Sequence, residues 1–345
     1  MKVAVVSSVH PFIKSGARII VDSLERQLRA HGHEVEVLNI PVQFSPETYL
    51  DQSLAFRLLD VSEWGERLIA VRAPSHLMAH PAKNVWFIHH WRYLFDLWDT
   101  PHGPDPKTHY LRGLRDMVQS SDTVALGEAR NVFANSKVVA DRVTQYNGVH
   151  ADVLYPPVEF PERFSASDYG DFLVCVSRVT PIKRQLLMVQ AMAHVKTDVR
   201  LVLAGRADYP AAAVAVDRLI EELGLSKTVS FTNEWVSEAE KEKLFAECLA
   251  NVYLPEDEDS YGYSTLEAAH SGKCTITTTD SGGVMEFVQT GLSGFSVEPD
   301  PLELAEVFDR LYSDRDLAKQ CGTAALYRIG ELGISWSSVV EALLR

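Results

Sequence analysis

Four groups of residues in this 345-residue chain have the types and spacing for chemistry. In Ser177-Arg178-Val179-Thr180-Pro181-Ile182-Lys183-Arg184, Arg178 and Lys183 supply a guanidinium fork and a point charge, a combination suited to a diphosphate. Further on, Asp259-Ser260-Tyr261-Gly262-Tyr263-Ser264-Thr265-Leu266-Glu267 leads from an acidic loop into a helical pattern. Ser264 or Thr265 is expected to cap that helix, with Glu267 in its first turns, and such a helix start can hold phosphate oxygens. His89 and His90 follow the apolar run Val85-Trp86-Phe87-Ile88, where a His pair can carry a proton, hydrogen-bond a ligand or bind a metal. Gly16 ends a polar loop after the first apolar run, and either exposes backbone N–H groups at a helix start or simply turns the chain.

Plainer readings stand beside these. The basic residues at 178–184 also suit a solvated helix start, and in a chain with twelve histidines a pair at a strand end can arise by chance. Trp86, Trp91, Tyr93, Phe95 and Trp98 can stack on a sugar ring or fill a core, and core is the favoured reading.

The elements that must position these groups follow from the hydrophobic pattern. Short β-branched runs alternate with segments of helical period, which gives parallel sheets covered by helices on both faces. Strands are expected at 2–7, 34–39, 67–71, 85–88, 132–134 and 152–154, and the clearest helix at 17–30, where Ile20, Leu24 and Leu28 form one stripe. Three prolines in 155–161 break the alternation. It then restarts with strands at 172–177, 201–204, 229–232, 251–254 and 275–278, and two helical stretches, 301–312 and 335–344, close the chain. The expected organisation is one Rossmann-like domain over 1–157, a linker over 158–164, a second Rossmann-like domain over 165–333, and a C-terminal helix over 334–345 near the interdomain region.

Composition bounds the function. A net charge of −14, with no cluster of Lys and Arg, excludes a nucleic-acid binder. The first 160 residues carry 16 basic and 18 acidic side chains, so most of the negative charge belongs to the second half. Four dispersed cysteines, Cys175, Cys248, Cys274 and Cys321, form no C-x-x-C pair, which argues against a zinc site or a disulfide framework and for a reducing cytoplasm. The apolar run at 3–6 is too short for a signal peptide or a span, so a soluble chain is expected, with any membrane contact peripheral at the inner face.

Taken together, these residues resemble the retaining family 4 glycosyltransferases (glycosyl transferases group 1), whose GT-B fold is two Rossmann-like doubly wound parallel-sheet domains facing a central cleft. The family's hallmark is a Glu, seven residues and a second Glu; Asp259 and Glu267 have that spacing, with Asp in the first place. Arg178 and Lys183 match its basic pair, His89 its catalytic His, and Ser15-Gly16 its early glycine pair. Similar segments at Gly32-His33-Glu34-Val35, Phe133-Ala134-Asn135-Ser136 and Ser281-Gly282-Gly283 carry the resemblance over nearly the whole chain. It implies a nucleotide-sugar donor, UDP by family weight, bound through Gly16, Arg178, Lys183, Tyr261, Gly262, Tyr263, Ser264, Thr265 and Glu267. Arg178 and Lys183 would neutralise the diphosphate and Glu267 would hold the ribose. Asp259 and His89 would contact the transferred sugar, and no metal or other cofactor is expected. The shorter Asp259 puts its sugar contact, and with it the sugar choice, in question.

Three rival readings remain. Asp257-Glu258-Asp259 has the form of the D-x-D metal motif of manganese-dependent, single-domain transferases. A sugar-nucleotide epimerase would use the carboxylates as acid and base. A non-catalytic sugar-nucleotide-binding protein would bind the donor without turning it over. The acceptor, whether a glycan, a lipid-linked sugar or a small molecule, is not legible.

Overall fold

The computed structural model describes residues 1–12 and 16–345. Its contacts divide the chain into two units, residues 1–159 with 334–345, and residues 160–333.

Unit 1 is built on strands β1 (Lys2–Val9), β2 (Glu34–Pro41), β3 (Arg67–Ala70), β4 (Lys83–Phe87), β5 (Asn131–Ala134) and β6 (Asp152–Val153). All pair in parallel in the order β2-β1-β3-β4-β5-β6. Helices α1 (Gly16–Ala30), α2 (Tyr49–Leu58), α3 (His109–Gly127) and α4 (Lys137–Asn147) connect them. Every residue of β3 and β4 is buried, as the continuous apolar runs of a parallel sheet require. Strand β4 starts two residues before its apolar run, at Lys83 and Asn84. Polar residues at a strand start carry no hydrophobic signal, yet both are buried and satisfied. Lys83 Nζ donates to the carbonyls of His76 and Ala125, each at 2.8 Å, and Asn84 Nδ2 to Leu343 O at 2.8 Å.

Unit 2 repeats the plan with β7 (Phe172–Val176), α5 (Gln185–Met192), β8 (Arg200–Ala204), α6 (Pro210–Glu222), β9 (Val229–Thr232), α7 (Glu238–Glu247), β10 (Ala250–Val252), α8 (Tyr263–His270), β11 (Thr275–Thr278), α9 (Val284–Phe287), β12 (Gly294–Val297), α10 (Pro301–Ser313) and α11 (Arg315–Glu331). Its parallel sheet runs β12-β11-β10-β7-β8-β9 around a core that includes Leu173, Leu201, Val252, Ile276 and Phe308. Strand β12 and helix α11 have no counterpart in the sequence reading. Two internal glycines, Gly322 and Gly330, mask the helical period of α11. Gly322 is there for packing: a β-carbon on it would lie 1.8 Å from Gly272 O.

The last helix, α12 (Trp336–Leu344), packs within unit 1. Trp336 Nε1 donates to Val158 O at 2.9 Å, and its ring meets Trp86 edge-on at 6.3 Å. Among the described residues, no helix is long and apolar enough to cross a membrane.

Each sheet has one point where the chain reverses its direction of growth, between β1 and β3 in unit 1 and between β7 and β10 in unit 2. Loops leaving the carboxyl ends of two such strands diverge to opposite faces and open a crevice, the favoured ligand position in open α/β sheets.

Candidate functional site

In unit 2, β7 runs into Arg178 and Lys183, and β10 runs into the loop ending at Gly262. Pro181–Lys183 forms a single tight turn, and Arg184 (φ 52°) ends it in the left-handed region. That turn sends Lys183 inward, where the residue is 8% exposed. Its ammonium group donates to the Tyr253 hydroxyl at 2.5 Å and forms an ion pair with Glu258. The Tyr253 hydroxyl donates in turn to Glu258 Oε2 at 3.0 Å. Burial and the Glu258 charge push the Tyr253 phenol well above its ordinary range, so it stays protonated. Arg178 is exposed and pairs with Asp208 at 2.7 Å. Its positive charge acts on the same Tyr253 hydroxyl.

Neighbouring loops are tied to this cluster by backbone. Glu256 N donates to Ile182 O at 2.8 Å, Asp257 N to Asp280 O at 2.9 Å, and Gly283 N to Glu258 O at 2.8 Å. Arg184 grips both carboxylate oxygens of Asp280, at 2.8 and 2.6 Å. Gly282 (φ 61°) makes the approach possible, since a β-carbon there would fall 2.4 Å from Glu258 O. Asp259 lies half-buried within this frame.

Helix α8 starts differently from expectation. Its N-cap is Gly262 (φ 71°), and no side chain caps it. Ser264 and Thr265 sit inside the first turn instead, because the chain must pass Tyr253 so closely that only a glycine fits at 262. The Ser264 and Thr265 hydroxyls are buried with no protein hydrogen-bond partner. Unpaired buried hydroxyls at a helix start suit an incoming oxyanion. Tyr263 is half-buried, whereas Tyr261 is buried, its ring 6.1 Å from that of Phe287, so a ligand contact at 261 falls to the backbone. Glu267 is buried and accepts from Lys241 of α7 at 2.6 Å. Burial raises its carboxyl above the ordinary value against the opposing pull of Lys241.

Two of the expected residues lie in unit 1, taken by itself. Gly16 is the first residue of α1; its expected companion Ser15 lies outside the described residues. His89 follows β4, half-buried, with Nδ1 donating to His90 O at 2.6 Å, which leaves Nε2 for a ligand. His90 has a structural part: its Nε2 meets Asn147 Oδ1 at 2.8 Å, and it packs between Phe87 and Phe95 at 4.7 and 4.5 Å. Burial lowers its pKa to about 4. Trp86, Trp91, Phe95 and Trp98 are buried core residues.

Sequence reasoning missed Tyr253, Glu258 and Lys241 as members of the site. Glu258 sat in the acidic run without distinction, and Lys241 lies in a helix of mixed charge where nothing local marks it. Among the described residues, no group of three or more His, Cys, Asp and Glu side chains is arranged for a metal ion.

Residues 159–327 match the family model "Glycosyl transferases group 1". The human alpha-1,3/1,6-mannosyltransferase ALG2 is 23% identical over 232 residues, covering 59% of this chain and 55% of that protein. The D-inositol 3-phosphate glycosyltransferase of Xylanimonas cellulosilytica is 24% identical over 257 residues, covering 70% and 60%. The chain thus spans little more than half the length of these curated relatives. Among solved structures, sucrose-phosphate synthase from Thermosynechococcus elongatus superposes with a TM-score of 0.77 at 16% identity, covering 99% of this chain and 97% of that one. Anabaena Alr3699/HepE in complex with UDP and glucose superposes at 0.71 with 17% identity, covering 99% and 98%. Likeness at such identity speaks for the fold. The second unit thus matches the glycosyl transferases group 1, and the two six-stranded parallel sheets with flanking helices are those of the GT-B fold.

Proposed function

We propose that this protein is a retaining glycosyltransferase of family 4 that moves a sugar from a nucleoside diphosphate, UDP in first place, to an acceptor hydroxyl without a metal. The observation that carries the reading is the cluster at the switch point of unit 2. There a buried lysine is held by Tyr253 and Glu258, and Tyr253 also shapes the start of a helix whose Ser264 and Thr265 hydroxyls are unpaired. A diphosphate placed there meets an ammonium group, two hydroxyls and helix N–H groups, all fixed before it arrives. Solved proteins of the same fold carry UDP and UDP-glucose, which supports a uridine donor. The Asp259 to Glu267 spacing supports family 4 and retention of configuration. Four free, buried cysteines support a reducing compartment.

In the step proposed, the bond from the anomeric carbon to the diphosphate breaks and a new bond forms to the acceptor oxygen on the same face. The acceptor proton passes to a diphosphate oxygen. Lys183, with Arg178 at the rim, stabilises the charge that develops on the leaving group. Glu267 is assigned to the ribose, and Asp259 and His89 to the transferred sugar.

A thermal-shift and calorimetric panel of UDP, GDP and ADP, with the matching sugar nucleotides, tests the reading. UDP is expected to raise the melting temperature, by an amount equivalent to about 2.7 kcal/mol at a hundred times Kd. Lys183→Ala is expected to remove the rise, and excess chelator to leave both UDP binding and donor turnover unchanged. No response to any nucleotide, or dependence on a divalent ion, sinks the proposal.

A further inference from the structure

At the switch point of unit 1, the chain leaves β1 at His10 and β3 at Arg72. Arg72 is 9% exposed, and its guanidinium lies 5.0 Å from the centroid of the Phe44 ring. Phe44 in turn faces the rings of His10 at 5.7 Å, Tyr49 at 5.5 Å and Trp91 at 6.0 Å. Residues from four successive positions in the sheet, after β2, β1, β3 and β4, therefore form one aromatic wall around one cation.

Among the described residues no carboxylate pairs with Arg72, and its Nε is buried without a hydrogen-bond partner. Two other buried cations have carboxylates beside them: Lys183 has Glu258, and Lys83 has two carbonyls and Glu128 at 3.7 Å. Arg67, also buried, donates to Leu344 O at 3.1 Å. The ionisable groups facing Arg72 from the elements around it are His10, after β1, and Tyr49, in α2. Burial and the Arg72 charge disfavour protonation of His10, and burial keeps the Tyr49 phenol intact, so neither offers a negative charge. A guanidinium cannot escape by losing its proton, and burying it unpaired is costly unless a ligand supplies the anion.

We propose that Arg72 anchors an oxyanion subsite in unit 1, and that the acceptor of this enzyme carries a phosphate or carboxylate group that seats there. The half-buried rings of His10 and Phe44 give the rest of such a molecule a face to stack on, and the fork of Arg72 binds two oxygens at once. The word acceptor rests on the transferase reading above; the anion subsite stands on unit 1 alone.

The test titrates inorganic phosphate into the Lys183→Ala protein, in which the diphosphate position of unit 2 is disabled, and into Lys183→Ala/Arg72→Met. Phosphate is expected to raise the melting temperature of the first and not the second. In phosphate-free buffer, Arg72→Met alone is expected to melt at or above the temperature of the unaltered chain, since it removes an uncompensated buried charge. Equal phosphate responses, or a lower melting temperature for Arg72→Met in that buffer, overturn the subsite. Two further ligands separate the sources of the anion: a hexose monophosphate in solution, and phosphatidylcholine vesicles doped with phosphatidic acid. Binding of either, weakened roughly tenfold or more by Arg72→Met, supports the proposal, and binding of neither overturns it. UDP affinity is expected to survive Arg72→Met; its loss would move Arg72 to the donor and overturn the acceptor assignment. Failure of the unaltered protein to bind UDP would sink the donor reading while leaving the phosphate response in place.

Discussion

A β-carbon on Gly262 would lie 2.3 Å from Cε1 of Tyr253 and 2.9 Å from its hydroxyl. The start of helix α8 is thus fitted against the residue that holds Lys183, and the two halves of the cluster cannot move independently.

The first prediction follows from that fit. Gly262→Ala must accommodate both the clash and a φ of 71°. Strain of this kind costs roughly 1–3 kcal/mol, and displacement of the Tyr253 ring adds to it. A lower urea midpoint for unit 2 is expected, together with weaker UDP binding. A variant that binds UDP as the unaltered chain does would mean that the α8 start takes no part.

Glu258 compensates Lys183 when no donor is present, and its negative charge opposes an arriving diphosphate. Glu258→Gln is expected to tighten UDP binding about fivefold, near 1 kcal/mol, which is the scale of one repulsion at partly solvated distances. Calorimetry reads the change directly. Unchanged or weaker binding would show that the pair does not compete with the ligand.

His90 makes unit 1 sensitive to acid. Its folded pKa, about 4, lies below the ordinary 6.5. A group depressed in this way contributes its stability in full above the unfolded value and loses it as pH falls through the folded one. Stability should therefore fall between pH 6.5 and 4, by up to about 3 kcal/mol. His90→Gln keeps a partner for Asn147 without titrating, and its urea midpoint should fall less over the same range. Parallel slopes for the two proteins would refute the assignment.

His89 is assigned to the transferred sugar and not to the nucleotide. His89→Ala is expected to lower turnover roughly a hundredfold while leaving the UDP affinity unchanged. Loss of UDP binding in this variant would place His89 on the nucleotide instead.

Much of the architecture was legible in the sequence, because strands buried on both faces must be apolar and β-branched and their helices must show the helical period. That logic located the strands of unit 1 and five of the six in unit 2. It failed where the signal was weak or contrary: at Lys83 and Asn84, which are polar yet buried, at the short β12, and along α11, where two glycines interrupt the period and Gly322 serves packing.

The site divides in the same way. Residue types and local spacing marked Arg178, Lys183, His89, Asp259 and Glu267, since each lies just past a strand end or near a helix start and the chemistry of its side chain is legible in isolation. Only the tertiary structure decided that Lys183 meets Glu258 75 residues away and that Lys241 meets Glu267, and that Arg72 lies against Phe44 with no carboxylate partner among the described residues. Parallel strands bring segments distant in sequence to one carboxyl edge, and which side chains meet there depends on strand order and loop path, quantities that no local pattern encodes.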